Sequence, residues 1–234
     1  MPLCRLCTLL LLLASPYAVC AQERLSSLAL PGSLTTSPKL YPHPDSPDDL
    51  TLGQFLQLSA AAGIGADYRR YIPDLRLWLG VAAEYITNPS AVPLPHDNTR
   101  TIDVRDGYIV VPVELSAYLP IPVGGPDVLW TIGGGGGAYF GRRSSAFGSA
   151  ASVTLGATPG YGIRVLSDVE YPLSPLLALR TEAKFRSIHF DSVDDFPDRT
   201  TVAGGVRAST PSGDLHSRVI ADSMTVSLQS VCRF

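Results

Sequence analysis

Charged side chains are scarce in this sequence, and no stretch of it is strongly basic. Asp, Glu, Lys and Arg make up 17% of its 234 residues, compared with about 25% in average soluble domains. The formal net charge is −3. A nucleic-acid-binding protein needs clustered Lys and Arg to contact phosphates, so the composition excludes nucleic acid as a partner.

Long hydrophobic runs are also missing. The apolar run Leu6–Ala14 is too short to cross a bilayer as a helix, which takes about 20 residues. It follows Arg5 and precedes Val19-Cys20-Ala21, which suits a cleavage site, so we predict a signal peptide over residues 1–21. If the remaining chain, 22–234, crosses a membrane, it must do so as a closed barrel, because unpaired backbone groups are too costly in lipid.

Cysteine is nearly absent from the predicted mature chain. Cys4, Cys7 and Cys20 lie in the predicted signal peptide, so cleavage leaves only Cys232. One cysteine excludes an intrachain disulfide and a Cys-based zinc site. An alternative is lipidation of Cys20, but lipoproteins usually carry Gly, Ala or Ser just before that cysteine, and here Val19 stands there.

Alternation of apolar and polar residues is what the sequence has in abundance. Alternate residues of a strand point to opposite faces of a sheet, so each such run predicts a strand with one apolar face. Most runs are longer than the 5–6 residues of an average strand and match the 9–11 or more of a membrane-spanning strand. Seven runs are clear, namely 56–68, 74–87, 108–119, 128–140, 153–171, 177–185 and 224–234.

The connections between these runs alternate between short and long. The segments 88–105 and 191–218 are long and polar, and outer-membrane barrels have short periplasmic turns and longer external loops. Bacterial single-chain barrels also have an even number of strands. We therefore predict an all-β, antiparallel up-and-down transmembrane barrel of eight strands, with residues 24–34 as the first strand despite Pro31 and 35–51 as an external loop.

The polar faces indicate which side of the sheet is inside. They combine small residues with charges of both signs, including Arg233 and Asp67, and this suits a narrow lumen filled with ion pairs, because a buried charge needs a partner. An eight-stranded barrel is only wide enough for side chains, which favours a structural plug over a conducting channel. The predicted lumen network is Arg76, Glu84, Glu114, Arg164, Asp168, Glu170, Arg180, Glu182, Lys184 and Arg186.

The end of the chain carries a second signal. Val226, Leu228 and Phe234 lie on one face of the last run, which resembles the C-terminal assembly signal of bacterial outer-membrane barrels. The stretches Tyr108–Glu114 and Tyr171–Arg180 resemble the small outer membrane protein β-barrel family. The resemblance implies an eight-stranded porin-like barrel in the outer membrane of a Gram-negative-type bacterium. It further implies lipids and the barrel assembly machinery as partners.

Four possible sites of chemistry are weakly supported by the sequence. The glycine run 133–137 lacks the Lys-Ser/Thr and helix of a phosphate-binding loop, and the acidic loop around Asp191 lacks the spacing of a calcium loop. His189 and Ser187 share a strand face, as in a rim lipid hydrolase, although a surface polar role is commoner. His43, His96 and His216 lie in separate segments without metal-ligand spacing.

The sequence therefore predicts no catalytic residue, metal site or cofactor. The expected function is that of an integral outer-membrane barrel with a structural role, or one that binds an unidentified extracellular ligand through the loops 88–105 and 191–218. The alternatives are a soluble exported barrel that binds a small ligand, an outer-membrane lipid hydrolase and a narrow channel.

Overall fold

The computed structural model of the chain describes residues 25–36, 38–48, 53–97, 100–122, 128–203 and 206–234. The predicted signal peptide, residues 1–21, lies outside the described residues. The described part is almost entirely strand, and its helical element is a 3-10 turn over Pro73–Leu75. No helix among the described residues is long and apolar enough to cross a membrane.

In chain order the strands are β1 (Ser26–Thr35), β2 (Lys39–Tyr41), β3 (Leu56–Gln57), β4 (Ala61–Ile72), β5 (Leu77–Asp97), β6 (Arg100–Ile121), β7 (Leu129–Phe147) and β8 (Ala150–Ala151). They continue with β9 (Val153–Thr158), β10 (Gly160–Pro172), β11 (Leu177–Ser187), β12 (His189–Asp195), β13 (Thr200–Ala203), β14 (Val206–Ser209), β15 (Leu215–Ile220) and β16 (Ser223–Arg233).

Within the described residues, eight of these strands close into an antiparallel barrel. Their order is β10-β11-β16-β1-β4-β5-β6-β7, and β7 pairs with β10 to complete the ring. The predicted fold class is therefore confirmed. The first strand of the barrel, β1, occupies the predicted position, and the β1–β4 ladder skips Leu30 and Pro31, where proline has no N–H to donate.

The barrel has an inner end with short turns and an outer end with long connections. The inner end holds the Ser27–Arg233 pair, the Pro73–Leu75 turn and a tight turn in which Leu173 N–H donates to Leu177 O. At the outer end, short strands prolong the barrel strands into a five-stranded sheet in the order β3-β2-β15-β12-β9. The strands β13 and β14 form a separate hairpin there.

The long outer connections contain more strand than expected. The segment 88–105 is not a loop, because β5 and β6 stay paired from Asn88↔Tyr108 to Asp97↔Arg100. Residues 191–218 carry β13, β14 and parts of β12 and β15, and the segment 35–51 contains β2. Strands extend beyond the predicted runs because pairing with a neighbour satisfies the backbone of polar, proline-containing segments as well as of apolar ones.

The outer surface of the barrel is apolar and its interior is polar. Ile64, Leu115 and Ile163 are exposed by 67–68%, whereas Glu114 on the same barrel is fully buried. A bilayer solvates apolar side chains and leaves charges to the interior, so this arrangement is that of a transmembrane barrel. It contradicts the alternative of a soluble barrel, which would place its apolar face inside.

At the outer end the interior becomes apolar. A cluster of buried residues fills the space between the outer halves of the strands, and its largest members are Leu40, Leu58, Ile86, Tyr108, Tyr139, Phe190 and Val219. Strict alternation through the predicted run 56–68 would place Leu58 on the same outward face as Ile64. Leu58 points inward because the run 56–68 is interrupted between β3 and β4, which resets the alternation.

The glycine run 133–137 lies within β7. A Cβ atom at Gly135 would lie 1.9 Å from Leu115 O, and one at Gly137 would lie 2.2 Å from Val113 O. Strand β6 therefore approaches β7 more closely than any side chain on these inward positions would allow.

We expect the unheated protein to migrate differently from the boiled protein in an SDS gel. A ring without free edges keeps its ladder hydrogen bonds in mild detergent until heat opens it. The measurement is one sample run with and without boiling. The same position in both lanes would contradict a closed barrel.

Candidate functional site

The most distinctive group of side chains is a network of ion pairs that fills the membrane-spanning part of the lumen. Among the described residues it joins six cations to six carboxylates. The cations are Arg69, Arg164, Arg180, Lys184, Arg186 and Arg233, and the carboxylates are Asp67, Glu84, Glu114, Asp168, Glu170 and Glu182. All are buried except Arg233, which is half-buried at the inner end.

The inner half of the network converges on two arginines. Arg180 Nη2 lies 2.6 Å from Glu170 Oε2, and Glu170 also accepts from Arg233 Nε at 2.7 Å. Arg180 Nη1 lies 3.5 Å from Asp67 Oδ2, which is 2.8 Å from Arg69.

Arg69 is the most heavily shared cation. Besides Asp67, its guanidinium contacts Asp168 Oδ2 at 2.7 Å and Glu182 Oε2 at 2.8 Å. It also lies 3.7 Å from the centroid of the Tyr118 ring. A planar guanidinium with five donors can serve several carboxylates at once, so Arg69 links β4 to β10 and β11, two strands with which β4 does not pair.

The outer half of the network centres on Glu114. Its Oε2 atom lies 2.7 Å from Arg164 Nη1 and 2.8 Å from Arg186 Nη2, and its Oε1 accepts from Tyr139 Oη at 2.8 Å. Arg186 Nη1 then contacts Glu84 Oε2 at 2.8 Å.

One lysine joins the two halves. Lys184 pairs with Glu84 and lies 3.1 Å from Glu182 Oε1. The chain of contacts is therefore continuous from Arg233 at the inner end to Glu114 beneath the apolar cluster.

The structure brings nine of the ten predicted network residues together. The exception is Arg76, for which the prediction was wrong. Arg76 follows the Pro73–Leu75 turn with a positive φ of 51° and is exposed at the inner end. The run 74–87 includes turn residues at its start, so the strand alternation that placed Arg76 on the polar face does not yet hold there.

Sequence reasoning missed Arg69 entirely. It lies on β4, two residues beyond Asp67 on the same inward face, but the predicted run stopped at Tyr68. The signal was present, because extending the alternation to the end of β4 at Ile72 places Arg69 inside. Gln229, whose Oε1 accepts from Arg180 at 3.3 Å, was also not predicted.

The other sequence candidates do not assemble into a reactive site. His189 is exposed, and Ser187 Oγ donates to Asp222 Oδ1 at 2.7 Å. Within the ranges that the structure describes, no three His, Cys, Asp or Glu side chains are grouped as metal ligands. The glycine run is part of a strand and forms no phosphate-binding loop.

Comparison with known proteins identifies the fold. Neither a protein-family model nor a curated protein matches the sequence. The outer membrane protein OprG from Pseudomonas aeruginosa matches with a TM-score of 0.53 and 11% identity, over 91% of this chain and 97% of that one. A major outer membrane protein from Thermus thermophilus matches with a TM-score of 0.51 and 13% identity, over 89% and 99%.

The chain has the fold of an outer-membrane β-barrel. At these identities the likeness concerns the fold, and the resemblance drawn from the sequence is confirmed at that level.

A smaller polar cluster lies outside the membrane-spanning segments, at the outer end. Asp194 on β12 is buried, accepts from Ser192 Oγ at 3.0 Å, and its Oδ1 has no hydrogen-bond partner among the described residues. Burial raises the pKa of Asp194 above its ordinary value. Arg143, the cation whose charge acts on Asp194, donates from Nε to Asp106 Oδ1 at 2.8 Å.

Replacing Glu114 by Gln removes the carboxylate that Arg164 and Arg186 share. Buried Arg164 then loses its carboxylate partner and buried Arg186 loses one of its two, so we expect the free energy of unfolding to fall by about 3–5 kcal/mol. Urea unfolding in detergent micelles measures it. Arg76→Gln is the matched control, since its exposed side chain should change stability by less than about 0.5 kcal/mol. Equal stability of Glu114→Gln and the parent would contradict a stabilising role for the network.

The raised pKa of Asp194 predicts a pH dependence of stability. The folded state holds the Asp194 proton more tightly than the unfolded state, so the free energy of unfolding decreases as the pH rises from 3.8, the ordinary value, to the raised folded pKa, and is constant above it. Asp194→Asn should remove this contribution. Unfolding followed by fluorescence across that pH range measures it, and an unaltered pH profile in Asp194→Asn would show that Asp194 is not its source.

Proposed function

We propose that the protein is an integral barrel of the outer membrane of a Gram-negative-type bacterium, with a structural role or a binding role at its outer end and no catalytic activity. The apolar belt supports the location. Side chains such as Leu30, Leu115 and Val165 are exposed by more than half on the outside of the barrel, and water would not stabilise so continuous an apolar surface.

The observation that carries the proposal is the neutral, filled lumen. Six cations and six carboxylates contact one another across its width. Above them the apolar cluster around Tyr108 and Phe190 closes the outer end. A solute would have to break buried ion pairs and then cross an apolar core, so transport through the lumen is disfavoured.

If no solute passes through the lumen, the protein must act through its outer surfaces. At the outer end, Thr201 attaches the β13–β14 hairpin to the rest of the molecule, because its Oγ1 accepts from Ser149 N–H at 3.0 Å and donates to Phe147 O at 2.8 Å. Arg199 and Asp195 form an ion pair beside it at 2.9 Å. These contacts hold the hairpin against the outer end of β7, and a hairpin held there supports binding of an extracellular ligand.

The end of the chain supports the proposed route of assembly. Val226 and Leu228 on β16 and Phe234 just after it point outward, with 44%, 56% and 59% of their surface exposed. The outward row is available to the barrel assembly machinery before the barrel closes, which fits the role proposed for it as an assembly signal.

We expect the protein to stay with the membrane pellet after an alkaline carbonate wash and to give no stepwise conductance in planar bilayers. The apolar belt holds it in lipid, and the ion-pair network blocks the lumen. Release into the supernatant would contradict membrane integration. Regular single-channel steps would contradict the closed lumen and favour the channel alternative.

A further inference from the structure

The wall of the barrel opens on one side at its outer end. Strand β10 pairs with β7 from Glu170↔Leu129 up to Gly160↔Tyr139, but the preceding strand, β9, pairs with β12 and not with β7. The change occurs at Pro159, which has no N–H for a ladder hydrogen bond. At Gly160 an added Cβ would lie 1.8 Å from His189 O, so the bend also requires a residue without a side chain.

The departure of β9 leaves a cleft on the outside of the barrel, with a volume of about 600 Å³. One wall is the outward face of β5–β7, and the other is β9. Its lining is mainly apolar and includes Tyr85, Ile109, Val111, Phe140, Leu155 and Pro159. Val111 is half-buried there, whereas Leu115, four residues nearer the inner end on the same face, is 67% exposed.

The cleft is closed towards the lumen. The Phe190 ring fills the space behind Gly141, where an added Cβ would lie 2.5 Å from a ring carbon. Beside it, Arg143 N–H donates to Ser192 Oγ at 3.2 Å, which joins the free edge of β7 to β12. The cleft is therefore a blind pocket that opens to the outside and is continuous with the apolar belt.

An unpaired cation stands at the rim of the cleft. Arg142 lies on the outward face of β7, two residues further out than Phe140, and is exposed. It makes no ion pair or side-chain hydrogen bond with any residue in the described ranges, whereas the nearby Arg143 and Arg218 each pair with an aspartate. At the upper edge of an apolar belt, the groups that face such a cation are the phosphates of lipids.

We propose that this cleft binds one anionic lipid of the outer leaflet, with an acyl chain against Val111, Phe140 and Leu155 and its phosphate on Arg142. The inference rests on the proposed membrane location. Continuity with the lipid-facing belt identifies the acyl chain as the occupant, and the unpaired Arg142 at the polar boundary identifies the phosphate. The lipid would cover the open side of β9, which otherwise exposes Val153 and Leu155 by more than half.

Native mass spectrometry of the detergent-purified full-length protein tests the proposal, with phosphatidylglycerol and phosphatidylcholine titrated separately. The parent should retain one phosphatidylglycerol in preference to phosphatidylcholine. Arg142→Gln should weaken phosphatidylglycerol binding about tenfold, because it removes a charge-assisted hydrogen bond. Ala157→Trp should reduce binding of both lipids by filling the cleft. Arg105→Gln is the matched control, because Arg105 is an exposed arginine further out on β6 that does not line the cleft.

A second measurement keeps the test independent of the folding of Ala157→Trp. A tryptophan introduced as Leu155→Trp should be quenched more strongly by brominated phosphatidylglycerol than by brominated phosphatidylcholine. Equal quenching by the two, or an unchanged affinity in Arg142→Gln, would overturn the phosphate assignment. Undiminished lipid retention by a folded Ala157→Trp would overturn the cleft as the site. Release by carbonate would instead overturn the membrane location, so the two failures are distinguishable.

Discussion

The charged side chains inside this barrel can be neutralised only by one another. The lumen of eight strands is too narrow for a column of solvent, and the surrounding lipid offers neither hydrogen bonds nor counter-ions. An uncompensated ion there costs several kcal/mol. The equal number of cations and carboxylates, and the sharing of Glu114 by two arginines and of Arg69 by three carboxylates, follow from that constraint.

The same network helps to specify the register of the barrel. Its members come from β4, β5, β6, β10, β11 and β16, so it connects strands on opposite sides of the ring. A slip of one residue in any of these strands would move charges into the lipid and apolar side chains into the lumen. Compared with a well-packed apolar core of the same size, the ion-pair network adds little stability. A register that separates its buried charges from their partners, however, is strongly destabilised.

Most of the barrel was predictable from the sequence because lipid on one side and ion pairs on the other impose a strict alternation. The predictions fail where that constraint ends. Arg76 lies in a turn, Arg69 lies beyond the last clearly apolar position of its run, and residues 88–105 pair as strands outside the lipid. Contacts such as Arg69 with Glu182 join residues far apart in the sequence, and no local pattern specifies them.

The outer end of the barrel differs from the membrane-spanning part because it is surrounded by water and not by lipid. Beyond the belt the outside faces water, and the interior becomes an apolar core of the kind found in soluble proteins, with Tyr108 and Phe190 at its centre. The outward positions should then be polar. Asp191 on β12 and Arg218 on β15 fit this expectation, because they are charged and form an ion pair with each other. Strand β9 breaks this rule by exposing Leu155 beside the opening at Pro159. Exposing this apolar surface to water is unfavourable, whereas contact with an acyl chain is not. With a lipid in the cleft, the apolar side chains of β9 contact lipid, as the outward apolar side chains of the barrel strands do.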